Sequence, residues 1–285
     1  MPARILDGKL ISESIIKEIA EGVSNFRVSH GIVPGLAVIL VGDNPASEIY
    51  VNSKIKKCRE VGMYSEKVTF DKNVTTTDIQ NTIMSLNIRS DIHGILLQLP
   101  LPNTFDSSKL IEMIDSRKDV DGLHPLNVGK LLLNEKGFIP CTPKGIIELL
   151  DHYQINIEGK SAVVIGRSNI VGKPLGMLLL NRNATVTFCH SRTRNLNQYT
   201  KKAEIIVAAV GIPKFIKRDM ISEGAVIVDV GINRIGKKII GDVDYDGVVD
   251  SVSFITPVPG GVGPMTIAML LRNTLLAAEE SFDNS

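Results

Sequence analysis

The chain has 285 residues, which at about 100–200 residues per domain predicts two domains of ordinary size. Apolar residues make up 44% of the chain and charged residues 22%, which is typical of a folded globular protein and excludes a disordered composition. The 32 Lys and Arg nearly balance the 31 Asp and Glu, so the formal charge of +1 excludes a strong general attraction to nucleic acid or to an anionic membrane.

Cysteine usage and the first residues predict the compartment. Cys58, Cys141 and Cys189 are far apart and have no CxxC spacing, which predicts neither a disulfide framework nor a zinc site. The N-terminal residues lack the apolar core of a signal peptide, and no run of eighteen apolar residues occurs. We therefore expect a cytoplasmic protein with reduced thiols and no membrane segment.

Short apolar runs alternate with helical patterns along the chain. Near the N-terminus, apolar residues at helical spacing from Ile11 to Phe26 predict an amphipathic helix. Four β-branched runs bounded by Gly or Pro predict buried parallel strands, at 36–42, 93–100, 161–166 and 225–231. This alternation is typical of a doubly wound α/β fold.

Residues typical of helix ends predict a helix after the first strand. Asn44 suits the N-cap and Gly62 the C-terminal end, so a helix is predicted from about 45 to 61. Tyr50 and Lys54 lie four positions apart on it and therefore share one face. Because lysines are mostly exposed, the pattern alone leaves both a catalytic and a solvated Lys54 open.

Polar residues follow the second buried strand. Gln98 lies near the end of an apolar run that stops at Pro100, and a buried amide there requires a hydrogen-bond partner, which makes it either a site residue or a structural amide. Asp121 lies in a Gly- and Pro-marked loop at 118–129, where an acidic residue either caps backbone N–H groups or binds a ligand. No metal-binding spacing occurs in this loop.

A domain boundary is expected near 140–160, where a stretch with Gly and Pro precedes a new strand, turn and helix. The strand at 161–166 runs into a turn with Gly166, Ser168 and Gly172 that opens a helix, the position of the phosphate loop in a Rossmann fold. The spacing departs from GxGxxG, so a plain tight turn is the alternative to a nucleotide site.

The next strand, at 184–191, ends with Ser191 and is followed by Arg192, where NAD-binding folds usually have an acidic residue for the ribose 2′-hydroxyl. With Arg167 in the turn, this end of the site is cationic and carries a hydroxyl, which suits a 2′-phosphate. The sequence therefore favours NADP over NAD. The alternative is that these arginines are solvated loop charges, which is the simpler interpretation for Arg194.

Glycines mark three further loops in the second half. The turns at 208–213 and 229–234 either line the nicotinamide side of the site or are ordinary turns. The Pro- and Gly-rich loop at 255–266 is predicted to form a rigid ligand wall rather than an interdomain joint. The last helical pattern, from 265 to 279, is expected to cross back to the first half of the chain.

Specific motifs recur in order along nearly the whole chain. They are VGDNPASEIYVNSK, LLQLPLP, KDVDGLHPLNVGKL, PCTP, GRSNIVGKP, ATVTFCHS, DVGINR, GDVDYDGV and ITPVPGGVGPMT. In these motifs, of which YVxxK and PGGVGPMT are specific, the chain resembles the bifunctional methylenetetrahydrofolate dehydrogenase/methenyltetrahydrofolate cyclohydrolase family.

The resemblance implies an α/β fold of two domains with the active-site cleft between them. A folate-binding catalytic domain is expected at 1–140, completed by the C-terminal helix at 265–285, and a Rossmann-like, doubly wound NADP-binding domain at 141–264. The implied reactions are oxidation of 5,10-methylenetetrahydrofolate by NADP to the methenyl compound and hydrolysis of that cation to 10-formyltetrahydrofolate, within one-carbon metabolism and purine biosynthesis. The resemblance also implies a homodimer.

The resemblance further implies roles for single residues. Lys54 is expected to perform the acid-base work of the hydrolysis and Gln98 to hold its amine, while Tyr50 positions the folate and Asp121 binds the pterin amine groups. The implied folate contacts are Tyr50, Lys54, Leu97, Gln98, Leu99, Asp121, Pro259, Gly260, Gly261, Val262 and Gly263. The implied NADP contacts are Gly166, Arg167, Ser168, Ser191 and Ile232, and no metal ligand is expected.

Two other functions are alternatives to the bifunctional enzyme. A non-catalytic NADP sensor would share the nucleotide loop but has no need of Tyr50, Lys54, Gln98 and Asp121. A dehydrogenase that lacks hydrolysis is disfavoured by Lys54, and one that uses NAD is disfavoured by the Ser191–Arg192 pair.

Overall fold

The computed structural model describes residues 3–236 and 238–283, which form two compact units. The three-stranded unit contains residues 14–130 and 136–139 and the chain from Ile267 onward. The six-stranded unit contains the chain up to Glu13 and residues 131–135 and 140–266. The two long helices at the chain's ends therefore each contribute residues to both units.

The helices and strands of the described residues alternate along most of the chain. The helices are α1 (Gly8–His30), α2 (Pro45–Glu60), α3 (Thr76–Ile88), α4 (Ser107–Glu112), α5 (Pro125–Leu132), α6 (Cys141–His152), α7 (Gly172–Asn181), α8 (Asn197–Thr200), α9 (Tyr245–Val248) and α10 (Val262–Asp283). The strands are β1 (Arg4–Ile5), β2 (Gly35–Val41), β3 (Tyr64–Phe70), β4 (Gly94–Leu97), β5 (Ser161–Ile165), β6 (Thr185–Cys189), β7 (Ile205–Ala208), β8 (Val226–Asp229), β9 (Asn233–Ile235), β10 (Lys238–Ile240) and β11 (Phe254–Ile255).

The three-stranded unit is a parallel sheet in the order β3-β2-β4. Every residue of the central strand β2 is buried, because apolar side chains cover both faces of a parallel sheet. The predicted strand at 36–42 is confirmed, and the run at 93–100 forms β4 but ends at Leu97. Pairing continues for one more residue, since the Gln98 N–H donates to the Ile39 carbonyl at 2.9 Å.

The predicted N-terminal helix is confirmed as α1. Its inward stripe is buried, with Ile11, Ile15, Ile19, Val23 and Phe26 each at most 6% exposed. The predicted helix at 45–61 is confirmed as α2, and Gly62 follows it with a φ of +82°, a left-handed conformation that suits glycine.

The six-stranded unit is a parallel sheet in the order β1-β11-β8-β7-β5-β6, and its architecture confirms the doubly wound prediction. Because β6 and β7 lie on opposite sides of β5, the strand order reverses there. The carboxyl ends of β5 and β7 therefore define the switch point at which such folds bind ligands. An antiparallel hairpin of β9 and β10 follows β8.

The three cysteines, Cys58, Cys141 and Cys189, are free and buried. Within residues 3–236 and 238–283, no helix is long and apolar enough to cross a bilayer.

Candidate functional site

Lys54 and Gln98 form a hydrogen-bonded pair in the three-stranded unit. Lys54 lies in the middle of α2 and is only 8% exposed, although lysine is seldom buried without a partner. Its Nζ donates to Gln98 Oε1 at 2.9 Å, and Gln98 Nε2 donates to the Leu99 carbonyl at 2.5 Å. The amide that the sequence required to have a partner is therefore satisfied by the one lysine of α2 that is buried.

The N-terminal cap of α2 sets the residue at which the helix begins, and with it the place of Lys54 on the helix. Asn44 Oδ1 accepts from the N–H groups of Ala46 and Ser47 at 2.9 and 3.2 Å, so the helix begins directly after β2. Val51, Ile55 and Cys58 are buried along its inner face. Tyr50 lies one turn before Lys54 and is half-buried.

Leu97 and Leu99 lie on either side of Gln98 in the chain. Leu97 is buried as the last residue of β4, and Leu99 is half-buried in the loop that follows. Because both residues are adjacent to Gln98 in the chain, these two predicted folate contacts lie next to the Lys54–Gln98 pair.

A buried carboxylate of the same 118–129 stretch organises the loop of Asp121. Asp119 is 1% exposed; its Oδ1 accepts from the Leu123 N–H at 3.1 Å, and its Oδ2 accepts from the His124 N–H and from Asn127 Nδ2, both at 2.8 Å. Burial raises the pKa of Asp119 to about 6, although these donors lower it. Asp121 is half-buried, and among the described residues no hydrogen bond joins it to Lys54 or Gln98.

The loop predicted as a ligand wall belongs to the six-stranded unit. Gly260 has a φ of +109°, and its carbonyl accepts from the Lys9 N–H at 2.8 Å. A Cβ on Gly261 would lie 2.6 Å from the Pro257 carbonyl oxygen, so only glycine fits at this position. Pro259 is exposed, whereas Val262 is buried and begins α10, which also includes Gly263.

The turn after β5 requires glycine for steric reasons. Gly166 has a φ of +136°, and a Cβ there would lie 2.3 Å from the Ala209 carbonyl oxygen. A Cβ on Gly172 would lie 2.4 Å from the Gly166 carbonyl oxygen. Ser168 Oγ accepts from the N–H groups of Val171 and Gly172, each at 3.2 Å, so this hydroxyl holds the start of α7. The turn is thus a tight cradle that brings main chain close to whatever binds at the switch point.

The end of β6 lies beside this turn and carries the predicted 2′-phosphate residues. The Gly166 N–H donates to the Cys189 carbonyl at 2.8 Å, which places Ser191 two residues beyond the contact. His190 Nδ1 accepts from the Arg192 N–H at 3.1 Å, and Ser191 and Arg192 in this local turn are exposed, as is Arg167 in the glycine turn. Exposed hydroxyl and guanidinium groups on these two segments are suited to bind phosphate.

Two more buried carboxylates were missed at the same edge of the sheet. Asp229 ends β8 and is 3% exposed, and Asp242 follows β10 and is fully buried. Burial raises the pKa of Asp229 to about 6. The predicted cofactor residue Ile232 lies between them in the chain and is exposed. The signal for these carboxylates was the Asp in DVGINR and GDVDYDGV, since acidic residues within apolar runs require internal partners. Among the described residues, no group of three His, Cys, Asp or Glu is placed to hold a metal ion.

Comparison with known proteins covers both units. The family model described as "Tetrahydrofolate dehydrogenase/cyclohydrolase, catalytic domain" matches residues 6–121, and that described as "Tetrahydrofolate dehydrogenase/cyclohydrolase, NAD(P)-binding domain" matches residues 140–282. The chain is 54% identical over 279 residues to the bifunctional protein FolD of Moorella thermoacetica, covering 98% of this chain and 99% of that protein. It is 52% identical over 282 residues to FolD of Bacillus subtilis, covering 99% of each.

Solved structures agree with these matches. The bifunctional FolD of Campylobacter jejuni superposes with a TM-score of 0.95 at 50% identity, covering 98% of this chain and 99% of that one. FolD of Trypanosoma brucei, complexed with NADP cofactor and inhibitor, superposes with a TM-score of 0.96 at 35% identity, covering 99% of each chain. The chain therefore belongs to the tetrahydrofolate dehydrogenase/cyclohydrolase family.

Proposed function

We propose that this chain is a bifunctional enzyme that oxidises 5,10-methylenetetrahydrofolate with NADP and hydrolyses the resulting 5,10-methenyltetrahydrofolate to 10-formyltetrahydrofolate. The observation that carries the proposal is the buried Lys54–Gln98 pair, in a chain that matches both domains of the family. The relative from Trypanosoma brucei, whose structure contains NADP, supports the choice of cofactor.

The oxidation makes small demands on side-chain chemistry. The methylene carbon lies between two nitrogens whose lone pairs stabilise the cationic product, so the protein mainly has to orient the folate and the nucleotide. NADP, when bound, accepts the hydride. We assign its binding to Gly166, Arg167, Ser168, Ser191 and Ile232. In this assignment Arg167 and Ser191 recognise the 2′-phosphate that distinguishes NADP from NAD.

The hydrolysis requires proton transfer, and Lys54 is the residue we assign to it. Water that adds to the methenyl carbon loses both of its protons: a folate ring nitrogen gains one as its bond to that carbon breaks, and the other is released to solvent as the formyl carbonyl forms. We assign to the Lys54 amine the transfer of one proton from the water to the leaving nitrogen. Gln98 Oε1, 2.9 Å from Nζ, holds the amine in one direction while it does so.

The remaining predicted residues are assigned to folate binding. Tyr50 positions the folate from the turn of α2 that precedes Lys54, Leu97 and Leu99 supply apolar contact beside Gln98, and Asp121 accepts from the pterin amine groups. Pro259, Gly260, Gly261, Val262 and Gly263 form the rigid wall. We accordingly assign 1–140 with 265–285 to the folate-binding domain and 141–264 to the NADP-binding domain.

We also propose a cytoplasmic homodimer assembled through the NADP-binding domain. The β9–β10 hairpin supports this assembly, because Ile235 and Ile239 on it are 54% and 37% exposed. The three buried free cysteines are suited to a reducing compartment. Sedimentation of the purified protein tests the assembly. We expect the unsubstituted chain to be a dimer and the Ile235→Asp variant to be a monomer. A monomeric unsubstituted chain would contradict the proposed dimer.

A spectroscopic assay tests the proposed activities. With 5,10-methylenetetrahydrofolate and NADP, we expect formation of NADPH with little accumulation of the methenyl compound, and a much lower rate with NAD. Accumulated methenyl product would leave the chain a dehydrogenase only. Absence of reduction with both nucleotides would refute the proposed oxidation.

A further inference from the structure

Two buried carboxylates of the six-stranded unit are held by N–H groups rather than by cations. Among the described residues, neither Asp229 nor Asp242 forms an ion pair. Asp229 Oδ1 accepts from the N–H groups of Gly231 and Asp242 at 2.9 and 2.8 Å, and its Oδ2 accepts from the Val243 N–H at 2.9 Å. Asp229 thus fixes the main chain on both sides of the β9–β10 hairpin, including that of Asp242.

Asp242 ties two different loops together. Its Oδ2 accepts from the N–H groups of Val210 and Gly211 at 2.7 and 2.9 Å, and its Oδ1 accepts from Asn233 Nδ2 at 2.8 Å. Val210 and Gly211 follow β7, whereas Asn233 begins β9. One carboxylate therefore sets the positions of the turn after β7 and of the segment after β8.

The first of these loops touches the glycine turn that we assign to NADP. The Ala209 N–H donates to the Ile165 carbonyl at 2.8 Å, and the Ala209 carbonyl oxygen is the atom that a Cβ on Gly166 would meet at 2.3 Å. Val210 and Gly211 come directly after Ala209. The position of the main chain that packs on Gly166 is thus determined by the carboxylate of Asp242.

The arrangement is costly for folding, which indicates a positional role. A Cβ on Gly231 would lie 2.2 Å from Asp242 Oδ1, and one on Gly241 would lie 1.9 Å from Asp229 Oδ2, so both carboxylates require adjacent glycine. Burial and the nearby charge of Asp242 raise the pKa of Asp229 to about 6, although its three N–H donors lower it. The two carboxylates satisfy five main-chain N–H groups that would otherwise be left unpaired, so they order these loops at the expense of burying charge.

We propose that Asp242, held in place by Asp229, is a positioning residue of the NADP site: it fixes the turn at 209–211, which packs on the glycine turn at Gly166, and the segment at 231–235, which contains Ile232. The inference rests on the proposed NADP-dependent function and adds a residue that need not touch the nucleotide. It requires that the acceptor oxygens of Asp242, and not its charge, set NADP affinity.

Calorimetric titration of NADP into the full chain and three variants tests this inference. Asp242→Ala removes the acceptors of two main-chain N–H groups, and we expect its Kd for NADP to rise about tenfold or more. Asp242→Asn keeps an amide oxygen for Val210 and Gly211, and Asn233 can rotate its own amide to accept from the new NH₂ group, so affinity should be largely restored. Asp250→Ala removes an exposed acidic side chain from the same unit and is the matched control.

Kinetics distinguish positioning from general damage. The folded Asp242→Ala variant should raise the dehydrogenase KM for NADP much more than it lowers kcat, whereas a cyclohydrolase rate that falls in parallel in the folded variant would overturn the inference. If this variant does not fold, Asn233→Ala, which removes a half-buried side chain, should still raise the Kd for NADP. An unchanged Kd in the folded variant would overturn the positioning role, while an unsubstituted chain that does not bind NADP would overturn the proposed function itself.

Discussion

Replacement of Lys54 by Met tests the assignment of the cyclohydrolase most directly. Met fills nearly the same volume as the buried lysine but has no amine, so the packing of α2 is kept while proton transfer is lost. Positioned acid-base groups contribute about 100- to 10,000-fold to a rate, and we expect the hydrolysis of methenyltetrahydrofolate to fall by that factor. Binding of NADP should persist, because Lys54 lies in the three-stranded unit and the glycine turn lies in the six-stranded unit.

The cost to stability can be worked out from the same hydrogen bond. Loss of the Lys54 amine leaves Gln98 Oε1 without its partner at 2.9 Å. An unsatisfied buried acceptor costs about 1–3 kcal/mol, and since Gln98 is only half-buried we expect about 1 kcal/mol, the lower end of that range. The double variant Lys54→Met with Gln98→Leu removes both partners of this bond but also the donor to the half-buried Leu99 carbonyl, so it should recover part of this stability and none of the cyclohydrolase rate.

Two measurements decide the outcome. The decay of the methenyl absorbance gives the hydrolysis rate, and urea unfolding gives the free energy of unfolding of the single and double variants. Lys56→Met is the matched control, since Lys56 lies on the same helix with its side chain 78% exposed. Hydrolysis within tenfold of the unsubstituted rate in Lys54→Met would refute the role of Lys54, and a double variant no more stable than Lys54→Met would refute the energetic argument.

Three further perturbations have defined outcomes. Gly166→Ala should weaken NADP binding in a titration and cost about 1–3 kcal/mol in urea unfolding, because the new Cβ would lie 2.3 Å from the Ala209 oxygen at a positive φ; unchanged affinity would contradict the cradle. Arg167→Ala should raise the Kd for NADP about tenfold and leave that for NAD unchanged, since only NADP has the 2′-phosphate; equal effects on both would refute its assignment. Burial lowers the pKa of His93, whose Nδ1 accepts from the Gly35 N–H, so the native state favours the neutral ring. Its contribution is present above the ordinary pKa of about 6.5 and lost as the pH falls, so the stability advantage over His93→Asn should shrink between pH 7 and 5 in urea unfolding.

The local sequence pattern was sufficient to predict those helices and strands whose residue types match their burial. Strand β2 is buried on both faces and is apolar throughout, and the cap at Asn44 and the glycine at Gly62 set the limits of α2. Strand β3 was missed, because an edge strand half open to solvent mixes charged and apolar residues, as in YSEKVTF. Strands β1 and β11 have only two residues each, too few for any periodicity to be recognised.

The same contrast holds for the candidate site. Gln98 was singled out because an amide in an apolar run requires a partner, and the structure supplies Lys54 at 2.9 Å from across 44 positions of sequence. The identity of that partner depends on a contact between α2 and the end of β4, which no local pattern encodes. The specific roles of both residues came from the family resemblance and remain predictions that the Lys54 variants test.

Asp229 and Asp242 escaped sequence analysis, and the partners of Asp119 could not be identified from the sequence, for one physical reason. A search for functional carboxylates looks for a cation, a metal spacing or a second acid, whereas each of these three accepts from main-chain N–H groups, which every sequence has. An Arg or Lys partner would hold a carboxylate through a long, flexible side chain, but an N–H donor belongs to the backbone, so each hydrogen bond fixes the path of the chain itself. A buried carboxylate that accepts from several such donors therefore loses the solvation of its charge but fixes the position of a loop. The loops fixed in this way contain Asp121 in one unit and Ile232 in the other.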